Sequence, residues 1–147
     1  MDAFVIVGDA NTRKSSIVRS LTGCFNRNIR QITVVAGGVL DIYARVSSLQ
    51  ESETEPQDFI NEVTATGQSS VIFCLWAQAN PRDPVKYPSA HAYIAAFAQA
   101  GWQFQASAVL GSSSFQPATP RPAHFPQVVT QPINVGAQAV RRHFGWL

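Results

Sequence analysis

Short apolar runs and helical patterns alternate along this chain. The run 3–7 ends at Gly8 and predicts a strand, and Ile17, Val18 and Leu21 then recur at helical spacing, which predicts a helix over 15–21. Two β-rich runs, 29–36 and 39–46, flank Gly37-Gly38 and predict an antiparallel hairpin. The chain therefore begins as strand, helix and hairpin.

The rest of the chain continues this alternation. A capping box of Thr54 and Gln57 begins a predicted helix that ends before Gly67, and the unbroken apolar run 71–76 predicts a central parallel strand. Further predicted elements are a helix capped by Ser89, a strand over 102–110, a short strand over 128–130 and a last helix capped by Asn134, with Ala137, Val140, Phe144 and Leu147 facing inward. Together they predict one α/β domain over 1–147, with three layers and a mostly parallel sheet that includes an antiparallel hairpin.

Composition places the chain among folded domains. Hydrophobic residues make up 46% of the chain and charged residues 14%, and no apolar run is long enough to span a bilayer. The start Met1-Asp2-Ala3 lacks the basic residues of a secretory signal, so we expect a soluble cytoplasmic protein without a membrane partner. The two cysteines, Cys24 and Cys74, are predicted to be buried thiols.

Charge is distributed unevenly. All nine acidic residues lie in the first 83 positions, so residues 84–147 carry only basic charges. Four basic residues over that length are too sparse for a nucleic-acid groove. Any catalytic carboxylate must therefore come from the N-terminal half.

One segment carries a recognisable chemistry. Residues 8–16 read Gly-Asp-Ala-Asn-Thr-Arg-Lys-Ser-Ser and lie between the first predicted strand and the first predicted helix. The segment resembles the Walker A motif of P-loop nucleoside triphosphatases, with Arg13 in place of the second glycine. The run from Lys14 to Gly23 and the following hairpin are also similar to the Ras-like GTPases.

The resemblance implies a P-loop fold that binds a nucleotide, ATP or GTP, with Mg²⁺. Lys14 would stabilise the transferring charge, and Ser15 would ligate the metal. The resemblance assigns nucleotide binding to six residues: Gly8, Asn11, Arg13, Lys14, Ser15 and Ser16. The activity implied is triphosphate hydrolysis or phosphoryl transfer.

The chain departs from the family at its other motifs. The Asp-x-x-Gly and Asn-Lys-x-Asp motifs of Ras-like proteins are absent, so guanine specificity is not implied. No aspartate ends the strand over 71–76, which leaves Asp41 as the candidate metal carboxylate and Asp83 and Asp9 as weaker ones.

Several alternatives stay open. The main one is a non-catalytic interaction protein in which segment 8–16 is a degenerate anion site or only a turn. A Rossmann-like domain ranks lowest because no Gly-x-Gly-x-x-Gly is present. The Pro-rich segment 111–126 is predicted to be a lid or an exposed arm that docks on a protein partner or a second copy. Arg141 and Arg142 are expected to form a solvated face rather than reach a phosphate.

Overall fold

Six strands form one mixed sheet with the order β2-β3-β4-β1-β5-β6 in the computed structural model, which describes residues 1–147. The strands are β1 (Asp2–Gly8), β2 (Arg27–Thr33), β3 (Val39–Ser48), β4 (Ser70–Trp76), β5 (Gln103–Leu110) and β6 (Pro122–Phe125). The α-helices are α1 (Lys14–Thr22), α2 (Pro56–Thr66), α3 (Ala90–Gln99) and α4 (Ile133–Phe144). Every neighbouring pair is parallel except β2 and β3, so the predicted α/β class and mostly parallel sheet are confirmed.

The two faces of the sheet are covered by different pairs of helices. Along β1, Phe4 and Ile6 belong to the core under α1 and α4, whereas Ala3, Val5 and Val7 belong to the core under α2 and α3. This alternation follows from the two-residue period of a strand. None of the four helices has the length and hydrophobicity that crossing a membrane requires.

Strand β4 occupies the middle of the sheet, as the unbroken apolar run predicts. It pairs with β3 on one side and β1 on the other, and Val71, Ile72, Phe73, Cys74 and Leu75 have no exposed surface. The hairpin of β2 and β3 is also confirmed, and Gly37 and Gly38 both adopt positive φ, at 97° and 93°. Strand β2 ends at Thr33, earlier than predicted, and beyond it Val34 forms an isolated bridge with Trp146 while the Val35 N–H donates to the Gly145 carbonyl.

The predictions for the Pro-rich segment are wrong in two places. Residues 126–129 form a short 3₁₀ helix, and the last strand lies earlier, at β6 within the predicted loop. A strand that begins with proline is tolerated here because β6 is at the sheet edge. The segment is not a free arm, since Phe115 and Phe125 both pack against this chain's own core.

Three predicted helix ends also differ from the structure. Helix α2 is preceded by Glu55 rather than Thr54, whose hydroxyl instead accepts a hydrogen bond from Arg45. Helix α4 is preceded by Pro132, so Asn134 lies inside its first turn. Leu147 is exposed because α4 ends at Phe144 and the backbone N–H of Leu147 donates to Thr33.

The topology collects the carboxyl ends of β1, β3, β4 and β5 at one edge of the sheet, because these four strands run in the same direction. Ligands of open α/β sheets bind in crevices at this edge. The segments that follow β1, β3 and β4 form the candidate site.

Candidate functional site

The chain turns sharply where β1 meets the segment that resembles a P-loop. Strand β1 ends at Gly8, residues 9–13 form the loop, and α1 begins at Lys14. A Cβ added at Gly8 would lie 2.5 Å from the Thr12 Oγ1 atom and 3.1 Å from the Leu110 carbonyl oxygen. Only glycine therefore fits at the start of the loop as it stands.

Within the loop, two residues that are not glycine adopt left-handed backbone conformations. Asn11 has φ 65° and Arg13 has φ 67°. Left-handed residues beside right-handed ones turn successive N–H groups toward one point and form a concave anion site. None of the eight backbone N–H groups of residues 9–16 has a protein acceptor within hydrogen-bonding geometry.

Lys14 lies at the centre of this loop and is only 6% exposed. Its Nζ donates to the Asp9 carbonyl oxygen at 2.6 Å and lies 3.3 Å from the Thr12 Oγ1 atom. The Thr12 hydroxyl donates to the same Asp9 carbonyl at 2.8 Å. The Asp9 carbonyl and the Thr12 hydroxyl thus hold the ammonium group of Lys14 against the loop.

Burial lowers the pKa of Lys14 below its ordinary value of 10.5 because the charged form loses hydration. Cys74, Glu51 and Asp9 oppose this shift. Burial raises the pKa of Cys74 to about 12, so its thiol stays neutral near neutral pH and the carboxylates of Glu51 and Asp9 are the charges that stabilise the ammonium there.

Arg13 takes the position of the missing second glycine with its side chain directed away from the loop. Its guanidinium NH1 donates to the Gln131 carbonyl oxygen at 2.7 Å, just before α4. The backbone of Arg13 therefore adopts the conformation that glycine would favour, while the side chain connects the loop to the segment that precedes α4.

We expect Arg13→Gly to be more stable than Arg13→Ala by about 1 kcal/mol, because both variants lose the bond to Gln131 but only glycine relieves the left-handed strain. Urea denaturation of the two variants, run side by side, measures this difference. Equal stability, or a more stable alanine variant, would contradict the left-handed conformation of residue 13.

A cleft of about 230 Å³ opens above the loop. Its walls come from three places: the loop and first turn of α1, the end of β3 and the end of β4. The lining residues are Ala10, Asn11, Thr12, Arg13, Lys14, Ser15, Ser16, Ser48, Glu51 and Trp76. Five of the six residues assigned to nucleotide binding line this cleft, and the sixth, Gly8, shapes the loop beneath it.

Two of the lining residues, Ser48 and Glu51, were not singled out by the sequence. Ser48 is the last residue of β3 and is 1% exposed, and its hydroxyl makes no hydrogen bond within the protein although it lines the cleft. Glu51 is exposed in the turn that follows. In the sequence, Ser48 and Glu51 stand out only because they follow the predicted strand over 39–46. Without knowledge of the strand pairing, the end of this strand could not be distinguished from the ends of the other strands as part of a site.

The carboxylates proposed from the sequence lie elsewhere. Asp41 is near the amino end of β3, seven residues before Ser48, so it is about 23 Å from the cleft edge of that strand. Asp83 accepts a hydrogen bond from the Lys86 backbone N–H within the loop after β4. The structure thus brings Ser15 and Glu51 to one cleft, and it does not bring Ser15 and Asp41 together.

The remaining candidate groups are also remote from the cleft. Arg141 donates to the carbonyl oxygens of Ser20 and Leu147 near the opposite end of α1, and Arg142 is exposed. Ser113 accepts a hydrogen bond from the Phe115 backbone N–H in its own turn. No cluster of three or more histidine, cysteine or acidic side chains has an arrangement that would hold a metal ion.

No protein-family model, curated protein or solved structure matches this chain. The geometry of the cleft is therefore the basis for a proposed function.

Proposed function

We propose that this protein binds the phosphate groups of a nucleoside triphosphate, with magnesium, in the cleft above residues 9–16. The observation that carries the proposal is the run of eight backbone N–H groups without acceptors in the same loop that holds the ammonium of the buried Lys14. Free N–H groups at the start of a helix attract anions, and the dipole of α1 adds to this attraction.

The cleft also offers the oxygen atoms that magnesium prefers. The Ser15 hydroxyl donates to the Val46 carbonyl at 3.2 Å, which leaves its oxygen free to accept or to ligate. The unpartnered Ser48 hydroxyl and the Glu51 carboxylate line the same cleft. These hard oxygen donors fit magnesium, which is held by few protein ligands and by phosphate oxygens.

The negative charge of two carboxylates near the cleft is a second reason to propose that magnesium binds together with the nucleotide. Glu51 lines the cleft and Asp9 lies in the loop, so both carboxylates would repel a triphosphate. Magnesium supplies positive charge to the phosphates when it is bound. We therefore expect binding of the nucleotide to depend on magnesium.

Hydrolysis or phosphoryl transfer at this site would draw on two side chains. Lys14 would stabilise negative charge on the transferring group, and Glu51 would orient or accept a proton from the attacking hydroxyl or water. Glu51 also replaces Asp41 and Asp83 as the candidate carboxylate for magnesium, because it is the acidic side chain that lines the cleft.

The test is isothermal calorimetry with ATP and with GTP, each in magnesium and in EDTA, followed by a phosphate-release assay with any nucleotide that binds. We expect a micromolar dissociation constant that weakens at least tenfold in EDTA. No heat and no thermal stabilisation at millimolar nucleotide would overturn the proposal. The loop would then be only a connection between β1 and α1, as in the alternative of a non-catalytic interaction protein.

The affinity for ATP should fall at alkaline pH. Burial lowers the pKa of Lys14 below 10.5, so the ammonium becomes neutral at a lower pH than an exposed lysine does. Below that pKa the ammonium attracts the phosphates, and above it the attraction is lost, whereas the phosphates themselves are already ionised above about pH 7. Calorimetry between pH 7 and pH 10 measures the decline.

Lys14→Arg is the matched control, because a guanidinium keeps its charge throughout this range. A decline of equal size in the arginine variant would show that another group titrates.

A further inference from the structure

A second cavity lies directly beside the cleft above residues 9–16, which is called the phosphate cleft below. It measures about 310 Å³ and its exposed lining is almost entirely apolar. Its lining residues are Asp9, Ala10, Trp76, Gln78, Ala79 and Pro81. Ala10 and Trp76 also line the phosphate cleft, so the two cavities meet at these residues.

The wall between the two cavities is held rigidly by a buried glutamine. Gln50 has no exposed surface, its Nε2 donates to the Trp76 carbonyl at 2.8 Å, and its Oε1 accepts the Trp76 backbone N–H at 2.9 Å. The same Nε2 donates to the Pro88 carbonyl at 3.1 Å. Both backbone groups of Trp76 are therefore fixed.

The loop beyond Trp76 is fixed in the same way. Asn80 is 5% exposed, and its Nδ2 donates to the Gln50 carbonyl oxygen at 2.9 Å. The Asn80 Oδ1 accepts the Arg82 backbone N–H at 2.9 Å, and the Asn80 backbone N–H donates to Tyr87. The second cavity is thus preformed, and the half-buried indole of Trp76 stands at its junction with the phosphate cleft.

The size and chemistry of the two cavities indicate a ligand in two parts. The phosphate cleft alone, at about 230 Å³, is smaller than the roughly 300 to 1,000 Å³ typical of small-molecule sites, and eight of its ten lining residues are polar. The neighbouring cavity offers an indole, a proline ring and methyl groups, which favour a planar apolar ring. A nucleotide joins such a ring to phosphates.

We propose that the base of the bound nucleotide packs against Trp76 in this second cavity. The proposal rests on the proposed function, because it needs the phosphates to lie in the adjacent cleft. Every base can stack on an aromatic side chain through the face of its ring. Trp76 therefore contributes affinity for the base whichever base is bound. Asp9 and Gln78, also in the lining, are the polar groups in reach of the base edge.

The experiment compares ATP with inorganic triphosphate, both with magnesium, on the wild-type protein and on Trp76→Ala and Trp76→Phe. We expect the wild type to bind ATP about tenfold more tightly than triphosphate. In Trp76→Ala the affinity for ATP should fall to about the variant's own affinity for triphosphate, whereas Trp76→Phe should keep most of the preference for ATP.

A second measurement needs no variant. Trp102 and Trp146 are 8% and 2% exposed, so Trp76 is the tryptophan that a soluble quencher reaches most readily. ATP should protect this fluorescence from acrylamide, and triphosphate should not.

The outcomes separate the two proposals. Equal affinity of the wild type for ATP and triphosphate, or full ATP affinity in Trp76→Ala, would overturn the base site and leave phosphate binding intact. Absence of binding by both ligands would overturn the proposed function and the base site with it.

Discussion

Lys14→Ala is expected to weaken ATP binding by about 10- to 100-fold, which corresponds to the loss of one hydrogen bond from a charged donor. The ammonium is bonded to the Asp9 carbonyl of the loop, and the eight backbone N–H groups of residues 9–16 have no protein acceptor. Alanine removes the positive charge but is the best helix former, so α1 should still begin at residue 14. Calorimetry with ATP and magnesium measures the loss.

The chain contains a matched control for this variant. Lys86 is the only other lysine, and it lies exposed in the loop after β4, outside the cleft. Lys86→Ala removes the same charge from the protein and should bind ATP like the wild type. Equal weakening by the two variants would assign the effect to net charge, and unchanged binding by Lys14→Ala would remove Lys14 from the site. Circular dichroism of both variants checks the fold.

Arg45→Ala is expected to lower the free energy of unfolding by about 3 kcal/mol, as for a buried charge pair that loses one partner. Arg45 is 3% exposed, and its NH1 lies 2.9 Å from both carboxylate oxygens of Glu62. Its NH2 donates to the hydroxyls of Ser52 and Thr54, each at 2.9 Å. Alanine would remove one donor from the Glu62 carboxylate and from each of the two hydroxyls. Urea denaturation measures the change.

The control uses a second arginine on the same carboxylate. Arg27 lies 3.4 Å from Glu62, but its side chain is 54% exposed, so Arg27→Ala should change stability by no more than about 0.5 kcal/mol. Equal effects of the two substitutions would contradict the structural role of Arg45.

Arg45 also positions the turn that carries Glu51. Ser52 and Thr54 lie within three residues after Glu51, and their bonds to Arg45 hold this part of the chain against α2. The hydrogen bond from Tyr43 to Glu62 completes the network, and burial, followed by this bond, raises the pKa of Tyr43 to about 12. The buried network therefore connects the core under α2 to the acidic side of the cleft.

Much of the site follows from local sequence. A glycine at the end of an apolar run, followed by hydroxyl residues and a lysine at the start of a helical pattern, predicts a strand, a tight loop and a helix N-terminus. The structure has all three, with Gly8, Lys14 and Ser15 at the expected places. Whether the loop binds phosphate stays a prediction, because local pattern and geometry describe the loop and not its occupant.

The carboxylate of the cleft could not be chosen from the sequence. Asp41, Asp83 and Glu51 all lie near the ends of predicted elements. The carboxylate that reaches the loop is the one at the end of β3 that lies on the same sheet edge as the carboxyl end of β1. Strand direction and the pairing of β3 and β1 with β4 decide which end that is. The place of Trp76 in the site could not be predicted from the sequence either. The sequence shows Trp76 only as the end of a buried strand, and the pairing of β4 with β1 places it between the two cavities.

The sequence by itself determined the elements with strong periodic patterns, the α/β class, the central place of the run 71–76 and the loop around Lys14. These depend on side-chain period, glycine positions and helix signals, which act over a few residues. The tertiary structure alone decided that the Pro-rich segment contributes an edge strand, that Arg13 reaches Gln131, and that Ser48, Glu51 and Trp76 join the cleft. Such contacts join residues 15 to 118 positions apart, and only the pairing and packing of the whole sheet bring them together.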